Sequence, residues 1–294
     1  MSKILVITGP TASGKTDVAI QIAEQFNGEI VSADSMQIYR GLDVGTAKPT
    51  IREQKKIPHH LIDVVNMTDN FSVAEFVALA DEIIEDITKR GKLPIIVGGT
   101  GFYLKALLGL QALEYSPNDP NLSLKLADKT LPQLVDELIK IDGVLAKRID
   151  LNNRQRVIRA IQIAHQGHKQ QTTVKRPTYD VLVVGLDWPR EILYQRINQR
   201  VTNMVSEGVL NEAQAVLNAG GEELQAGKAI GYKEFFGYLR GEEMVEEAIK
   251  KLQQDSRRYA KRQLTYLRHQ LPGLIWINGK SAILDLKKMI QNWL

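Results

Sequence analysis

The chain has 294 residues, a net charge of +4 and no cysteine. Its length fits about two domains, and the lack of cysteine excludes disulfides and cysteine-based zinc sites or nucleophiles. Apolar residues make up 44%, ample for a packed core. No stretch approaches the roughly 18 consecutive apolar residues of a membrane helix. The apolar run Ile4 to Ile7 is too short for a signal peptide, so a cytoplasmic protein without membrane association is expected.

In chain order, Lys3 to Thr8 reads as a buried β-branched strand. A glycine-punctuated turn, Gly9 to Gly14, leads into a helix over Lys15 to Phe26, with Val18, Ala19, Ile22, Ala23 and Phe26 at helical spacing. Glu29 to Ala33 is a second strand, followed by a loop with Gly41, Gly45 and Pro49. Ser72 with Glu75 forms a capping box for a helix over Val73 to Arg90. Leu93 to Val97 is a third strand and Thr100 to Leu108 the next helix. From about 116 to 177 the signals are helical, with no convincing strand. Tyr179 to Leu186 resumes the strands. Helices follow at Arg190 to Glu207, Leu210 to Ala219 and Glu242 to Arg268, then a strand at Leu274 to Ile277 and a closing helix from Ala282 to Leu294. Strands alternating with helices predict an α/β fold, a P-loop NTPase-like parallel sheet flanked by helices. Residues 1–115 and 178–294 would form this core, and 116–177 an all-helical insertion domain.

Gly9-Pro10-Thr11-Ala12-Ser13-Gly14-Lys15-Thr16 fits G-x-x-x-x-G-K-T. Such a loop turns successive backbone N–H groups toward one anion, and the helix behind it adds its positive N-terminal end. The lysine brings a point charge, and the Thr16 hydroxyl suits Mg2+. Many P-loop enzymes place a metal-binding Asp at the end of the third strand. Here that strand ends Val97-Gly98-Gly99-Thr100, and no N-K-x-D guanine motif occurs. The carboxylate follows strand two instead, as Asp34. Ligands of α/β sheets bind at the carboxyl ends of the strands, which would put Asp34 and Thr100 on the P-loop edge.

Three segments together resemble the tRNA dimethylallyltransferase family: Gly9 to Thr16, Asp34-Ser35-Met36-Gln37-Ile38-Tyr39-Arg40-Gly41 continuing to Pro49, and Val97 to Tyr103. Pro58-His59-His60-Leu61-Ile62-Asp63 and Lys261-Arg262-Gln263-Leu264-Thr265-Tyr266-Leu267-Arg268 match as well, so the likeness spans Ile4 to about Trp276. The family moves a prenyl group from dimethylallyl diphosphate to N6 of the adenosine 3′ of the anticodon. The resemblance implies that the P-loop holds the donor's diphosphate and not ATP, with Mg2+ at Thr16. It implies catalytic roles for Asp34 as base, Thr100 beside the acceptor adenine and Arg200 on the diphosphate. Arg196, four residues before Arg200 on one helix face, matches less firmly.

An anticodon-loop adenine is stacked and must be extruded to react. The resemblance assigns tRNA contacts to Asp34, Ser35, Met36 and Gln37 around the flipped base. It adds Gln155, Arg156 and Arg159 in the insertion, and Tyr232, Lys233, Lys261, Arg262 and Arg268 in the core. Local charge agrees. Between 140 and 176 stand nine Lys/Arg against two acids, and between 250 and 268 seven against one; such faces suit phosphate contacts. The family pattern departs at Asn152-Asn153, where it reads Asn-Asp. His59 and His60 lack a third metal-ligand partner and read as structural. A monomer is expected. Two alternatives stand beside this reading: a P-loop kinase for a small molecule, and a non-catalytic RNA-binding protein.

Overall fold

The computed structural model describes residues 1–111, 120–165 and 176–294. The chain divides into two compact units, Met1–Gln111 with Pro177–Leu294, and Ala112–Arg176. The first is built on a six-stranded sheet with the order β3-β2-β4-β1-β5-β6. The strands are β1 Ser2–Thr8, β2 Gly28–Ser32, β3 His59–His60, β4 Leu93–Gly98, β5 Tyr179–Asp187 and β6 Ile275–Asn278. Every pairing is parallel. A central strand of a parallel sheet is covered on both faces and so reads as a continuous apolar run. Ile4, Leu5, Val6 and Ile7 of β1 are each 0% exposed. The helices Lys15–Gln25 and Ala282–Trp293 close one face with Val18, Ile22, Leu286 and Ile290.

Most expected elements stand within a residue or two of their expected ends. The Ser72–Glu75 capping box before helix Val73–Lys89 is formed on both sides. Two readings need correction, and one segment has none. The segment after β2 is not plain loop: it holds a helix, Ile51–Lys56, and the two-residue β3. A two-residue strand has no period to detect. The long helix begins at Val245, not Glu242, since Glu247 reaches back to the Met244 N–H. Residues 221–239, which carry no periodic signal, form three 3₁₀ turns and a short helix, burying Tyr232, Phe235 and Phe236.

In the second unit the described residues form helices at Pro120–Ala127, Leu131–Ile141, Gly143–Ala146 and Arg154–His165. They bury Leu126, Leu134, Leu138, Val157 and Ile161. Asn153 accepts the Arg156 N–H at 3.1 Å, so it caps the last helix. Arg154 donates to the carbonyls of Leu126, Ala127 and Lys129, satisfying a helix end that has no internal partners. Among the described residues no helix is long and apolar enough to cross a membrane.

Candidate active site

At the carboxyl ends of β1, β2 and β4 lies a cleft of ≈ 1390 Å³. One wall is the loop between β1 and helix Lys15–Gln25. Gly9 and Gly14 have φ of 144° and 87°, angles that L side chains rarely adopt. Ala12, with φ 61°, takes the left-handed conformation without being glycine, a strain typical of functional loops. Lys15 donates to the Pro10 carbonyl at 2.7 Å. All residues from Thr11 to Thr16 line the cleft, whereas Gly9 and Pro10, expected to hold phosphate with them, do not.

The opposite wall is the segment after β2. Asp34 lines the cleft, and its Oδ1 accepts the Met36 N–H at 2.9 Å, an Asx turn that fixes the carboxylate. Thr100 precedes helix Gly101–Leu107 but does not cap it. Its hydroxyl instead accepts the Ser35 N–H at 3.1 Å and lies 3.3 Å from the Ser35 hydroxyl. A side chain suited to its own helix end is thus spent on the Asp34 turn. Met36 and Gln37 line the cleft too. The Gln37 amide is already engaged: Nε2 donates to the Ala47 carbonyl at 3.2 Å, and Oε1 accepts from Ser32 at 2.9 Å.

The glycines of β4 and its turn let these walls approach. A Cβ on Gly98 would lie 2.2 Å from the Ala33 carbonyl oxygen, and one on Gly99 2.3 Å from Gln263 Nε2. Gln263, on helix Val245–Gln270, accepts the Thr11 N–H at 2.8 Å and donates to the Gly99 carbonyl at 3.0 Å. It therefore ties the P-loop to the turn that carries Thr100. The ring of Tyr266 would touch a Cβ on Gly101 at 2.4 Å, so this tyrosine packs against the core.

Electrostatics separate the two walls. Burial pushes Lys15 down to about 8, helped by the charge of Arg200 and opposed by Asp34. Arg200 is likewise held below its ordinary value by burial, with Asp34 and Glu207 opposing. Its NH1 reaches the Thr11 hydroxyl at 3.2 Å, while its Nε is buried without a partner, as is the Ser13 hydroxyl. Two desolvated cations, one with an unpartnered Nε, thus share the cleft with Asp34, an arrangement that favours an anion between them. Among the described residues no group of three His, Cys, Asp or Glu could hold a metal ion. A lone threonine hydroxyl fits only an ion that is held mainly by substrate oxygens and water, as magnesium usually is.

The remaining expected residues fall in different places. Lys233 and Arg262 line the cleft rim, and Lys261 and Arg268 are exposed on the long helix. Arg268 pairs with Asp187 at 3.5 Å and covers the Trp276 ring. Tyr232 is corrected: it is 0% exposed, and its hydroxyl donates to Glu212 at 3.0 Å, so it packs a loop and offers no surface to RNA. Gln155 and Arg156 are exposed on helix Arg154–His165 of the second unit, where Arg159 bonds Gln162.

Three positioning groups have no counterpart in the sequence reading. The Glu212 carboxylate accepts the N–H groups of Asp43, Val44 and Gly45 at 2.9, 2.7 and 3.0 Å, holding the loop beside Gln37. Gln263 sits inside a quoted motif, yet only the fold brings it to Thr11. Trp188 donates to the Ser13 carbonyl.

The model of the family described as IPP transferase matches residues 37–270. The tRNA dimethylallyltransferase of Leuconostoc citreum is 62% identical over all of both chains. That of Leuconostoc mesenteroides is 63% identical over 100% of this chain and 99% of its own. Among solved structures, a tRNA isopentenylpyrophosphate transferase from Bacillus halodurans is 40% identical with a TM-score of 0.75, covering 100% of this chain and 97% of its own. A eukaryotic dimethylallyltransferase, solved acting on tRNA, is 27% identical with a TM-score of 0.82, covering 99% of this chain and 80% of its own.

Proposed function

The chain belongs to the IPP transferase family, and from that premise we propose that it moves a dimethylallyl group from dimethylallyl diphosphate to N6 of the adenosine 3′ of the anticodon in tRNA, releasing diphosphate. One observation carries the assignment of roles: Lys15 and Arg200, both desolvated, share a cleft with the Asp34 carboxylate. The cations suit the departing diphosphate, and the carboxylate suits the amine.

An exocyclic adenine amine is a weak nucleophile, because its lone pair is delocalised into the ring. As N6 bonds the allylic carbon, the carbon–oxygen bond breaks and its electron pair leaves with the diphosphate. The N6 proton passes to Asp34, a step in which a positioned base contributes about 10²–10⁴-fold. Lys15, Arg200 and the P-loop amides meet the charge growing on the leaving group. Thr100, which does not itself line the cleft, holds the Asp34 turn through Ser35. Thr16 would hold a magnesium ion, which would supply charge neutralisation for the leaving diphosphate. Arg262 and Lys233 at the rim, with Lys261, Arg268, Gln155, Arg156 and Arg159, would meet RNA phosphates. A tRNA substrate fits a cytoplasmic location.

Mass spectrometry of tRNA nucleosides tests this reading. After incubation with the chain, dimethylallyl diphosphate and magnesium, adenosine should gain one prenyl unit. Unchanged nucleosides, with ATP consumed when it is added in a parallel incubation, would favour a kinase.

A further inference from the structure

The P-loop is braced by two side chains, one of them outside the cleft. Trp188 follows β5, and its indole Nε1–H donates to the Ser13 carbonyl at 2.9 Å. Arg196, two turns into helix Arg190–Glu207, sends Nε to the Ala12 carbonyl at 2.8 Å and lays its guanidinium over the Trp188 ring at 4.8 Å. The two side chains thus hold adjacent carbonyls and each other. A trans peptide carries its C=O and the following N–H on opposite sides. Trp188 is not among the residues lining the cleft. Holding the Ser13 carbonyl on the indole side therefore fixes the Gly14 N–H on the opposite side of that peptide. Holding the Ala12 carbonyl fixes a residue whose φ of 61° is otherwise disfavoured. The indole fits because position 279 is glycine: a Cβ there would lie 2.0 Å from the Trp188 ring.

We propose that Trp188 and Arg196 are positioning residues that preset the phosphate-binding peptides of the P-loop, so that affinity for a diphosphate depends on an indole N–H outside the cleft. This rests on the donor reading above, and the test separates the two. Inorganic diphosphate is titrated calorimetrically, with magnesium, into the full chain, and KM is measured for dimethylallyl diphosphate and for tRNA. Trp188→Phe keeps a ring under Arg196 but loses the donor. Its diphosphate Kd and donor KM should rise roughly 5- to 10-fold, the effect of one hydrogen bond, with tRNA KM and Tm little changed. Gly279→Ala, which crowds the indole without touching the cleft, should shift donor affinity the same way. Wild-type donor affinity in Trp188→Phe overturns the brace. So does a loss that falls equally on donor and tRNA with a lowered Tm, since that is general structural damage. If the wild-type chain binds no diphosphate, the donor reading fails and the brace with it.

Discussion

The two walls of the cleft are built differently. The P-loop wall is eight consecutive residues shaped by glycine torsions and a helix start, with Gln263, Trp188 and Arg196 holding backbone groups of Thr11, Ser13 and Ala12. The acceptor wall, from Asp34 to Lys48, has no helix start behind it and adds its own loop bonds, such as Met36 on Asp34 and Gln37 on Ala47, to supports from elsewhere. It is held by groups from far along the chain: Glu212 on three backbone N–H groups, Tyr232 behind Gly45, and Thr100 on Ser35. Its own Lys48 is buried between Asp43 and Asp63. A phosphate nest can be local because its ligand is small and its donors are backbone. A surface that receives a base must instead be set at a chosen distance from the nest, and that distance is a property of the whole fold.

Substitutions can break this comparison or sharpen it. The largest effect is expected from Asp34→Asn. Removing the base should lower the single-turnover rate by about 10²–10⁴-fold, while filter-binding affinity for tRNA and calorimetric affinity for diphosphate stay near wild type. Equal loss of binding and rate would mean that Asp34 merely shapes its wall.

Glu29 offers a contrast at the other end of the same strand. It is 2% exposed and bonded to Arg90, Lys92 and His60. The Arg90 hydrogen bonds, with those from Lys92 and His60, hold its carboxyl well below the usual carboxylate range despite burial. A carboxylate with a depressed folded pKa stabilises fully above its ordinary value and loses that contribution as pH falls toward the folded one. Glu29→Gln should therefore lower stability at neutral pH by about 2 kcal/mol, the partners being partly exposed. The gap between variant and wild-type Tm should narrow as pH drops below the ordinary value of 4.5. Turnover per folded molecule at neutral pH should be unchanged, which separates strand anchoring from chemistry.

Glu212→Ala addresses the acceptor wall alone. Three N–H groups lose a charged acceptor, and hydrogen bonds of that type matter more than neutral ones. A rise of about 10-fold in KM for tRNA is expected, with a smaller change in KM for the donor. The reverse split would place the loop on the donor side. The smallest effect belongs to Asn153→Asp. Asn and Asp cap helices about equally, so thermal denaturation should shift by less than ~0.5 kcal/mol and activity should hold.

What the sequence made legible follows the same division. The P-loop, the Ser72–Glu75 capping box and the helix Arg190–Glu207 each carry their cause within a few neighbours, through torsions, caps or a 3.6-residue period. Asp34 and Thr100 could be placed on the P-loop edge because parallel strands share a carboxyl end. Glu212 looks like any polar residue on a surface helix, and nothing near it in the chain announces Gly45. Tyr232 lies in a segment without period, so its burial could not be foreseen from its neighbours. Gln37, expected to offer its amide to a base, spends it on Ala47 and Ser32, because a polar side chain beside a turn meets the nearest carbonyl first. The glycines Gly98, Gly99 and Gly101 were visible as a motif, but their reason, the approach of Ala33, Gln263 and Tyr266, is entirely tertiary.

The most direct measurement of the central claim, that this P-loop receives a prenyl diphosphate, compares ligands at the cleft by calorimetry and product analysis, with Lys15→Met as control. Dimethylallyl diphosphate should bind with magnesium, lose most of its affinity in Lys15→Met, and yield prenylated tRNA without any nucleotide. Tight ATP binding with phosphoryl transfer or hydrolysis, and no prenyl product, would contradict the account.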